Sequence, residues 1–420
     1  MRSEKMNKYR YLSRILPQEN KRKLVIITGA RQTGKTTLVK NRYPNLYYIN
    51  LDAPENRDFI REISSFAWAQ ELGNAVIDEA QKEPVVFEKI KYAYDEKKIS
   101  FGVLLGSSQI LLLKKIRESL AGRVSIYELW PLLFSEISQE SSKSLSDFPL
   151  VNSLFSELSL PEIFKNIPTR LLPKQEEKLK KNEKEFMLWG GMPALLQLNS
   201  EEKRKWLKDY EYTYLTRDLS DLARLDNLQP FRKFQKIAAL RSANLLSYSE
   251  IARDTGISVD TARRYLQYLN ISYQTILLQP FTKNITSSAI KTPKIYWLDI
   301  GLLRQLTGYW GEVNGQIFET LVIAEMIKWH KTMQVNGELF FYRTHSGLEI
   351  DLILKTDYGI RGIEIKSRER VVPKDIKALK KLAAKLGKQW QGGLVIYRGN
   401  EIKKIDEPDI WMIPFKRLFT

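Results

Sequence analysis

Short apolar runs separated by helical patterns recur along the first 110 residues of the chain. These runs are LVIIT at 24–28, YYINLD at 47–52, NAVIDEA at 74–80 and SFGVLLGSS at 100–108. Strands that alternate with helices are typical of a parallel sheet, whose strands are buried on both faces and therefore read as continuous apolar runs. We predict an α/β fold that begins with such a parallel sheet.

The pattern changes twice after this first part. Residues 139–185 are polar and irregular, and their second half, PKQEEKLKKNEKE, is typical of a solvated helix or a linker. Helical patterns follow from about 186 to 270, and strand patterns return in the runs TILLQPF and KIYWLD. The last 110 residues alternate helices and strands again. We predict three domains, over residues 1–165, 166–300 and 301–420.

Composition excludes several classes of protein. The chain has 420 residues, no Cys and two His. Disulfides, thiol nucleophiles and Cys- or His-rich metal sites are therefore excluded. The longest uncharged apolar run, 101–113, is too short to span a bilayer, and residues 1–16 lack the apolar core of a signal peptide. We expect a cytoplasmic protein that has no membrane partner.

The net charge of +18 favours nucleic acid, or the surface of an acidic membrane, as a partner. Residues 1–50 hold 12 basic and 2 acidic residues, and residues 351–400 hold 12 and 5. Part of the excess of basic residues in 1–50 lies around a candidate phosphate site, where a bound nucleotide would be the anion that it attracts. The second surplus therefore indicates the C-terminal domain as the DNA contact and weakens the membrane alternative.

Residues 29–36, GARQTGKT, match the pattern G-x-x-x-x-G-K-[ST] at every fixed position. A strand precedes the loop and a helix follows it, so that backbone N–H groups and a helix N-terminus can converge on phosphate oxygens. Lys35 can reach the β- and γ-phosphates, and the Thr36 hydroxyl can bind Mg²⁺. We predict ATP and Mg²⁺ as ligands, with nucleotide contacts from Gly29, Arg31, Gln32, Thr33, Gly34, Lys35, Thr36 and Thr37.

Three further features are candidates for the chemistry of hydrolysis. Asp78 and Glu79 end an apolar strand, where P-loop ATPases place an Asp that holds Mg²⁺ and a Glu that polarises the attacking water. The alternative is a solvated strand end. Ser107, or its neighbour Ser108, ends the next strand and is a candidate nucleotide sensor. Arg123 is a candidate arginine finger or sensor, and an ordinary surface arginine is its alternative.

A helix-turn-helix pattern occupies residues 247–266. A first helix can begin at Ser247, a turn follows at TGIS (255–258), and a second helix can begin at Val259, with the runs TILLQPF and KIYWLD as a wing. In a DNA-bound arrangement the second helix would present Asp260, Thr261, Arg263 and Arg264 to the major groove or its phosphates. A lid or packing module is the alternative.

An ordered set of charged residues marks the C-terminal domain. Glu319 lies in an amphipathic helix, Asp351 in the strand EIDLIL, and Glu364 and Lys366 in the strand GIEIKS. Residues two apart in a strand share a face, so Glu364 and Lys366 point the same way and Asp351 can join them. Such carboxylates can hold Mg²⁺ and activate water, while the lysine orients the nucleophile. The neighbouring basic helix at 374–388 can track phosphates, or it is an ordinary solvated face.

The order E…D…E-x-K resembles the PD-(D/E)XK nuclease superfamily. The resemblance implies Asp351, Glu364 and Lys366 as the core of a metal-dependent site and Glu319 as the helix acid. Salt-bridged strands, or a nuclease fold that does not cut, remain the alternatives.

Taken together, the motifs resemble prokaryotic ATPases of the AAA superfamily that carry a C-terminal nuclease-like domain. This family implies a sensor role for Ser107 or Ser108 and favours a functional role for Arg123. Residues 139–185 depart from the family pattern, because the usual helical lid is hard to place there. The resemblance covers nearly the whole chain and is carried by GARQTGKT, VIDEAQKEP, LLGSSQILLL, ESLAGRVSIYELWPLLFSEI, WGGMPALL, YLTRDL, KTPKIYWLDIGLLRQLTG and EIDLIL…IEIKS.

Two functions of different classes follow from these patterns. The first is an ATPase whose nucleotide state controls a C-terminal domain that binds DNA and cuts it with Mg²⁺. The second is a signalling or defence switch in which ATP drives assembly into a homo-oligomer and an inactive nuclease-like domain serves as a scaffold. A motor that acts on DNA is a third hypothesis.

Overall fold

The computed structural model describes residues 8–106, 120–139, 148–223, 228–281 and 291–420, with the backbone alone for 214–223. In this part of the chain, apolar residues form four clusters that lie on the faces of two sheets and between them. None of the helices in these ranges is long and apolar enough to cross a bilayer.

The N-terminal sheet has five parallel strands in the order β2-β3-β4-β1-β5. Alternate residues of β1 enter different apolar clusters: Leu24 and Ile26 one, Val25 and Ile27 the other. Both faces are thus covered by helices, which confirms the predicted parallel α/β sheet. The strands are β1 (Lys23–Thr28), β2 (Tyr47–Asn50), β3 (Ala75–Asp78), β4 (Phe101–Gly106) and β5 (Val124–Glu128), and the helices Leu12–Ile15, Lys35–Arg42, Pro54–Glu62, Trp68–Glu71 and Val85–Asp95.

The middle of the chain is mainly helical and includes a small antiparallel sheet in the order β6-β8-β7. Its charged stretch, PKQEEKLKKNEKE, lies on a 17-residue helix whose lysines are largely exposed, in agreement with the prediction of a solvated helix. The strands are β6 (Asn244–Leu245), β7 (Thr275–Leu278) and β8 (Lys294–Trp297). The helices are Phe134–Ser138, Leu150–Ser153, Leu160–Phe164, Pro173–Trp189, Ser200–Ala223, Gln229–Leu240, Tyr248–Thr255 and Val259–Ile271.

The C-terminal sheet has six strands in the order β13-β14-β12-β11-β10-β9 and mixes parallel with antiparallel pairs. One face packs on the long helix Gly315–Met333, and the other packs on the helix Lys377–Leu386 through Leu379 and Leu382. The strands are β9 (Glu338–Arg343), β10 (Glu349–Thr356), β11 (Gly359–Lys366), β12 (Trp390–Tyr397), β13 (Lys403–Asp406) and β14 (Ile410–Pro414). The remaining helices are Ile300–Thr307 and Phe415–Leu418.

The segment around residues 150–165 packs on the C-terminal sheet rather than on the parallel sheet. The fully buried Arg361 of β11 donates hydrogen bonds to the backbone oxygens of Leu154, Ser156 and Leu158. An arginine offers several N–H donors in a fixed fork and can therefore bind several carbonyls of one turn. The last part of the domain that we expected over residues 1–165 thus packs against the C-terminal domain. No local sequence pattern indicates this long-range contact.

One apolar cluster runs through all three parts of the chain. It joins Tyr11 and Trp130, beside the parallel sheet, to Trp297 of β8 and to Leu394 of β12. The helix Gly315–Met333 also lies along the edge strand β5, where the Gln334 side chain donates a hydrogen bond to the Ile126 oxygen. The N-terminal parallel sheet is therefore physically continuous with both later modules.

Candidate functional site

The glycine-rich loop connects β1 to the helix Lys35–Arg42. Gly29 has φ +154°, and a Cβ there would lie 2.1 Å from the Leu129 oxygen, so that only glycine fits. Gly34 caps the helix with φ +92°, in the left-handed region that glycine adopts readily. The Thr33 hydroxyl donates to the Ala30 oxygen at 2.9 Å. The loop is thus tightly wound, with the first turn of the helix at its end.

Lys35 lies inside this loop. Its side chain is buried, and Nζ donates hydrogen bonds to the oxygens of Gly29 at 2.9 Å and Ala30 at 2.8 Å. The ammonium group is therefore held at the loop by two carbonyl groups, in the position from which a phosphate oxygen would attract it.

Asp78, at the end of β3, binds three donors. Its carboxylate accepts from the Thr36 hydroxyl at 2.6 Å, from the Tyr48 hydroxyl at 2.7 Å and from the Glu79 N–H at 2.9 Å. Burial, together with Asp78, raises the pKa of Tyr48 above its ordinary value, so the phenol remains a donor. Gln81 donates to the Glu79 carboxylate. The structure thus brings Lys35, Thr36, Asp78 and Glu79 to one place, as the sequence predicts.

A cavity of about 970 Å³ opens beside these groups. All the predicted nucleotide contacts except Gly29 line it. The sequence analysis did not anticipate two further walls. One comes from the N-terminal segment and the other from the turn after the helix Pro173–Trp189, although the run WGGMPALL marked this turn as a motif. These walls contain Lys8, Tyr9, Arg10 and Ser13, and Pro193, Ala194, Leu196 and Gln197.

Arg10 connects the loop to the segment that follows β5. Its guanidinium donates to the Thr33 oxygen at 2.7 Å and to the Trp130 oxygen, and it forms an ion pair with Glu136 at 3.0 Å. The Glu136 carboxylate also accepts from the Tyr11 and Leu133 N–H groups. The partners of Arg10 are 23 to 126 residues away, so local sequence patterns carried no sign of this role.

A second side chain reaches the loop from the middle module. The Tyr273 hydroxyl lies 2.5 Å from the Thr28 hydroxyl, at the last residue before the loop, and its ring packs edge-on against Trp130. Tyr273 has φ +62°, a costly conformation for a non-glycine residue. The middle module therefore contacts the strand that leads into the phosphate loop through a specific hydrogen bond.

One of the predicted hydrolysis residues does not join this site, and the predicted sensor serines cannot be compared with it. Arg123 lies at the surface, where Nε is 2.7 Å from the Asp95 carboxylate, and it does not line the cavity. Ser107 and Ser108 lie outside the described residues.

The C-terminal residues Asp351, Glu364 and Lys366 lie together on β10 and β11. Lys366 Nζ is 2.6 Å from Glu364 and 3.5 Å from Asp351, while Asp351 accepts from the Ile365 N–H at 2.8 Å. Burial and the Asp351 charge raise the pKa of Glu364 well above its ordinary value. The strand geometry predicted from the sequence thus places these three side chains on one face.

Glu319 contacts a different lysine. Lys294 Nζ, from β8, lies 2.9 Å from Glu319 and 2.6 Å from Glu349, and the Tyr296 hydroxyl donates to Glu319 at 2.6 Å. Burial and the Asp351 charge raise the pKa of Glu319 to about 7. Burial lowers the pKa of Lys294, but Glu319, Asp351 and Glu349 outweigh burial and raise it. The sequence analysis missed Lys294 and Glu349.

As they stand, these side chains do not fit a shared cation. The carboxylates Glu319, Asp351 and Glu364 were predicted to hold Mg²⁺, but ammonium groups occupy the space beside their oxygens. In the ranges that the structure describes, no group of three or more Asp, Glu or His side chains is arranged to hold a metal ion. The predicted metal ligands are therefore joined by lysines.

The helix-turn-helix segment has the elements that its pattern predicts. The helices Tyr248–Thr255 and Val259–Ile271 are capped by Ser247 and Ser258, and Gly256, with φ +80°, makes the turn. β7 and β8 pair antiparallel after the second helix. Among the four side chains predicted to face DNA, Asp260, Arg263 and Arg264 are exposed and Thr261 is half-buried.

Three family models match successive parts of the chain. Residues 21–138 match a model described as an AAA domain, residues 180–311 match the domain of unknown function DUF8612, and residues 314–418 match the domain of unknown function DUF4143. The borders between the matches follow the change from the parallel sheet to the helical middle and then to the mixed sheet.

Relatives share this chain over most of its length. The uncharacterized protein Rv2008c of Mycobacterium tuberculosis is 27% identical over 82% of this chain and 70% of its own. The uncharacterized protein MJ1544 of Methanocaldococcus jannaschii is 25% identical over 79% of this chain and 72% of its own. The Walker-type ATPase PABY2304 of Pyrococcus abyssi is 17% identical, with a TM-score of 0.42, over 69% of this chain and 91% of its own.

The match to the AAA model coincides with the five-stranded parallel sheet and with the Lys35, Thr36 and Asp78 constellation. The pattern of the loop, its conformation and the family model agree. Residues 21–138 therefore form a P-loop domain of the AAA type.

Proposed function

We propose that this chain binds and hydrolyses ATP and that its nucleotide state controls a C-terminal domain that binds nucleic acid. The observation that carries the proposal is the cavity at the phosphate loop, which is walled by the AAA-type domain and by residues 193–197 of the middle module. A ligand in this cavity would touch both modules, so its arrival or hydrolysis would change their contact.

The residues of the cavity suit a nucleoside triphosphate. Lys35 can exchange its two carbonyl partners for phosphate oxygens, which are stronger acceptors because they are charged. The Thr36 hydroxyl and the Asp78 carboxylate are the hard oxygen donors that would hold Mg²⁺. When bound, that ion would neutralise phosphate charge. Glu79, which follows Asp78, would accept a proton from the attacking water.

Substitutions in the loop test this half of the proposal. Lys35→Ala should weaken ATP binding at least tenfold, because the main cation for the phosphates is removed. Glu79→Gln should keep ATP binding and lower the hydrolysis rate by about 10²–10⁴-fold, the usual contribution of a general base. Lys91→Ala, on the helix Val85–Asp95 and outside the cavity, is the matched control. Unchanged ATP binding by a folded Lys35→Ala protein would refute the nucleotide site.

The contacts of Arg10 and Tyr273 provide the route between nucleotide and later modules. Arg10 holds the loop and Glu136, and the neighbouring Phe134 N–H donates to Glu325 on the helix Gly315–Met333 at 2.8 Å. Glu325 is in turn paired with Lys328. A shift of the loop would therefore be transmitted to the helix that supports the C-terminal sheet.

The helix Lys377–Leu386 supports the nucleic-acid part of the proposal. Its apolar side packs on the sheet, while Lys377, Lys380 and Lys381 are exposed, with Lys374 just before it and Lys388 just after it. A row of cations on one side of a helix follows the spacing of a phosphate backbone without reading its sequence. The helix-turn-helix arginines Arg263 and Arg264 offer a second basic contact.

A triple substitution tests this surface. Lys374→Ala, Lys377→Ala and Lys381→Ala together should weaken binding of duplex DNA and reduce the slope of log Kd against log salt by about 0.9 for each phosphate that is no longer neutralised. The control removes three exposed lysines of the helix Pro173–Trp189: Lys174, Lys181 and Lys184. An equal weakening in both proteins would show that only net charge matters, and no weakening in either would exclude this surface.

A second candidate function is a switch that does not cut nucleic acid and assembles with ATP. The lysine contacts of Glu319, Asp351 and Glu364 favour it over metal-dependent cleavage. Sedimentation with and without ATP should then show an ATP-dependent homo-oligomer in the absence of DNA. Cleavage of any DNA or RNA that requires Mg²⁺ and is abolished in Asp351→Ala would instead support the nuclease.

A further inference from the structure

The carboxylate cluster of the C-terminal domain combines residues from three elements of the fold, of which Asp351 and Glu364 are buried and Glu319 and Glu349 partly buried. Glu319 comes from the helix Gly315–Met333, Glu349 and Asp351 from β10, and Glu364 from β11. Among the cations that the structure describes around them, only Lys294 comes from outside the domain, on β8 of the middle module.

The position of Lys294 is set by its sheet. β8 pairs with β7 on one side and with β6 on the other, and the backbones of Lys294 and Leu278 are partners in the first of these ladders. The Lys294 side chain is only 3% exposed, and Nζ lies 5.5 Å from the centre of the Phe341 ring. A buried lysine held by two strands cannot swing to solvent without moving the sheet, so its ammonium is a fixed charge.

Lys294 Nζ stands where a cation shared by the cluster would be expected. It lies 2.9 Å from Glu319 Oε1 and 2.6 Å from Glu349 Oε1. On the other side, Lys366 Nζ lies 2.6 Å from Glu364 and 3.5 Å from Asp351. Each of the four carboxylates therefore has an ammonium within ion-pair distance.

A divalent ion of this kind requires several oxygen ligands to converge on it at 2.0–2.6 Å. Two ammonium groups among four carboxylates, with Arg343 3.3 Å from Glu349, leave little uncompensated negative charge to attract such an ion. Repulsion between a divalent ion and an ammonium a few ångströms away in a poorly solvated site would be strong. The cluster is built like a set of ion pairs.

We infer that Lys294 takes the place of a divalent cation in this cluster, so that the C-terminal domain functions without a bound metal. Its ammonium joins the middle module to the C-terminal domain, and the Glu319 and Glu349 carboxylates serve as its anchor. Removing that ammonium while keeping the aliphatic stem would leave an oxygen-rich cavity, and the cluster would then bind a divalent ion.

Mn²⁺ titration of the full chain, followed by the electron paramagnetic resonance signal of the free ion, tests this inference. In the absence of nucleotide, wild type and Asp351→Asn should bind the same amount of Mn²⁺, because any ion at the phosphate loop is common to both. Lys294→Met should bind one more equivalent of Mn²⁺ than wild type does. Its Kd for this ion should be at least tenfold lower than any Kd that wild type shows at the cluster. Asp351→Asn in the Lys294→Met background should abolish the gain.

Lys294→Arg is the matched control, because it keeps the charge and should show no gain. The inference is overturned if wild type binds an equivalent of Mn²⁺ that Asp351→Asn removes, or if a folded Lys294→Met protein binds no more than wild type. If Lys294→Met does not fold, the comparison of wild type with Asp351→Asn decides alone. No nucleotide or nucleic acid is present, so this test and those of the proposed function can fail separately.

Discussion

At the scale of single residues, the buried charged side chains differ in how well their partners compensate their charge. Lys35, Asp78, Lys294 and Glu319 are each largely buried and each has charged or strongly polar partners. Burial of an ion without such partners would cost several kcal/mol. The partners of these four side chains offset that cost. Glu183 is a buried acid with weaker compensation.

Glu183 predicts a pH dependence of stability. Burial raises its pKa to about 7, although Lys416, 4.0 Å away, opposes the shift. Between about pH 4.5 and 7 the native state holds a proton on Glu183 that the unfolded chain releases. The contribution of Glu183 to the free energy of unfolding is therefore complete below pH 4.5 and is lost as the pH rises through 7. Glu183→Gln should remove the effect and stabilise the protein at pH 8 by about 1–3 kcal/mol relative to wild type.

Thermal unfolding at pH 5 and pH 8 measures this difference. Glu185→Gln, two residues away on the same helix and at the surface, should retain the wild-type pH profile. A Glu183→Gln protein that loses as much stability as wild type between the two pH values would contradict the assignment of this titration to Glu183.

At the scale of elements, the turn after the helix Pro173–Trp189 is held against the segment that follows β5. The Leu132 N–H donates to the Gly191 oxygen at 2.7 Å, and the Gly191 N–H donates to Asp299 at 2.8 Å. A Cβ on Gly191 would lie 2.2 Å from the Leu132 oxygen. The glycine therefore allows two backbones to meet and places Pro193 at the cavity.

Gly191→Ala should separate these backbones and withdraw a wall of the nucleotide cavity. We expect ATP affinity to fall at least threefold, with a decrease of about 1–3 kcal/mol in stability from the steric clash. Gly315→Ala is the control, because a Cβ there meets nothing within 4 Å and alanine favours the helix that begins at this residue. Binding isotherms that coincide for wild type and Gly191→Ala would show that the wall does not contact the nucleotide.

At the scale of the whole molecule, the phosphate loop is connected to the other modules by polar contacts and by one shared apolar cluster. Arg10 donates to the Thr33 oxygen and Tyr210 to the Arg31 oxygen, both within the loop, while the Tyr273 hydroxyl lies beside the Thr28 hydroxyl, just before it. Energetic coupling between sites requires an element that both sites bias. We expect Tyr273, which has a positive φ and contacts the strand that precedes the loop, to be such an element.

Tyr273→Phe removes only the hydroxyl that reaches Thr28. ATP affinity should change by less than about fivefold, because a neutral hydrogen bond contributes roughly 1 kcal/mol and Tyr273 does not line the cavity. The effect of ATP on the Kd for DNA should shrink, and the contacts of Arg10 should carry the part that remains. Tyr309→Phe, which removes a hydrogen bond from a tyrosine hydroxyl to the Glu312 oxygen far from the loop, should leave that effect intact. Full nucleotide control in Tyr273→Phe would exclude this route.

The sequence alone determined the parts whose chemistry is local. The β-branched runs specify buried parallel strands, and the order of glycines, Lys35 and Thr36 specifies a phosphate loop because backbone conformation and helix position follow from neighbouring residues. The alternation of residues in β10 and β11 likewise placed Asp351, Glu364 and Lys366 on one face. Only the tertiary structure decided what these groups contact.

Arg10 and Tyr273 reach the loop from distant segments, and Lys294 enters the carboxylate cluster from another module. Arg361 holds residues 154–158 on the C-terminal sheet in the same way. Such contacts depend on how whole modules pack, and packing is governed by the total apolar surface rather than by any short pattern. The sequence therefore specified the chemical groups of both sites, and the packing of the modules selected their partners.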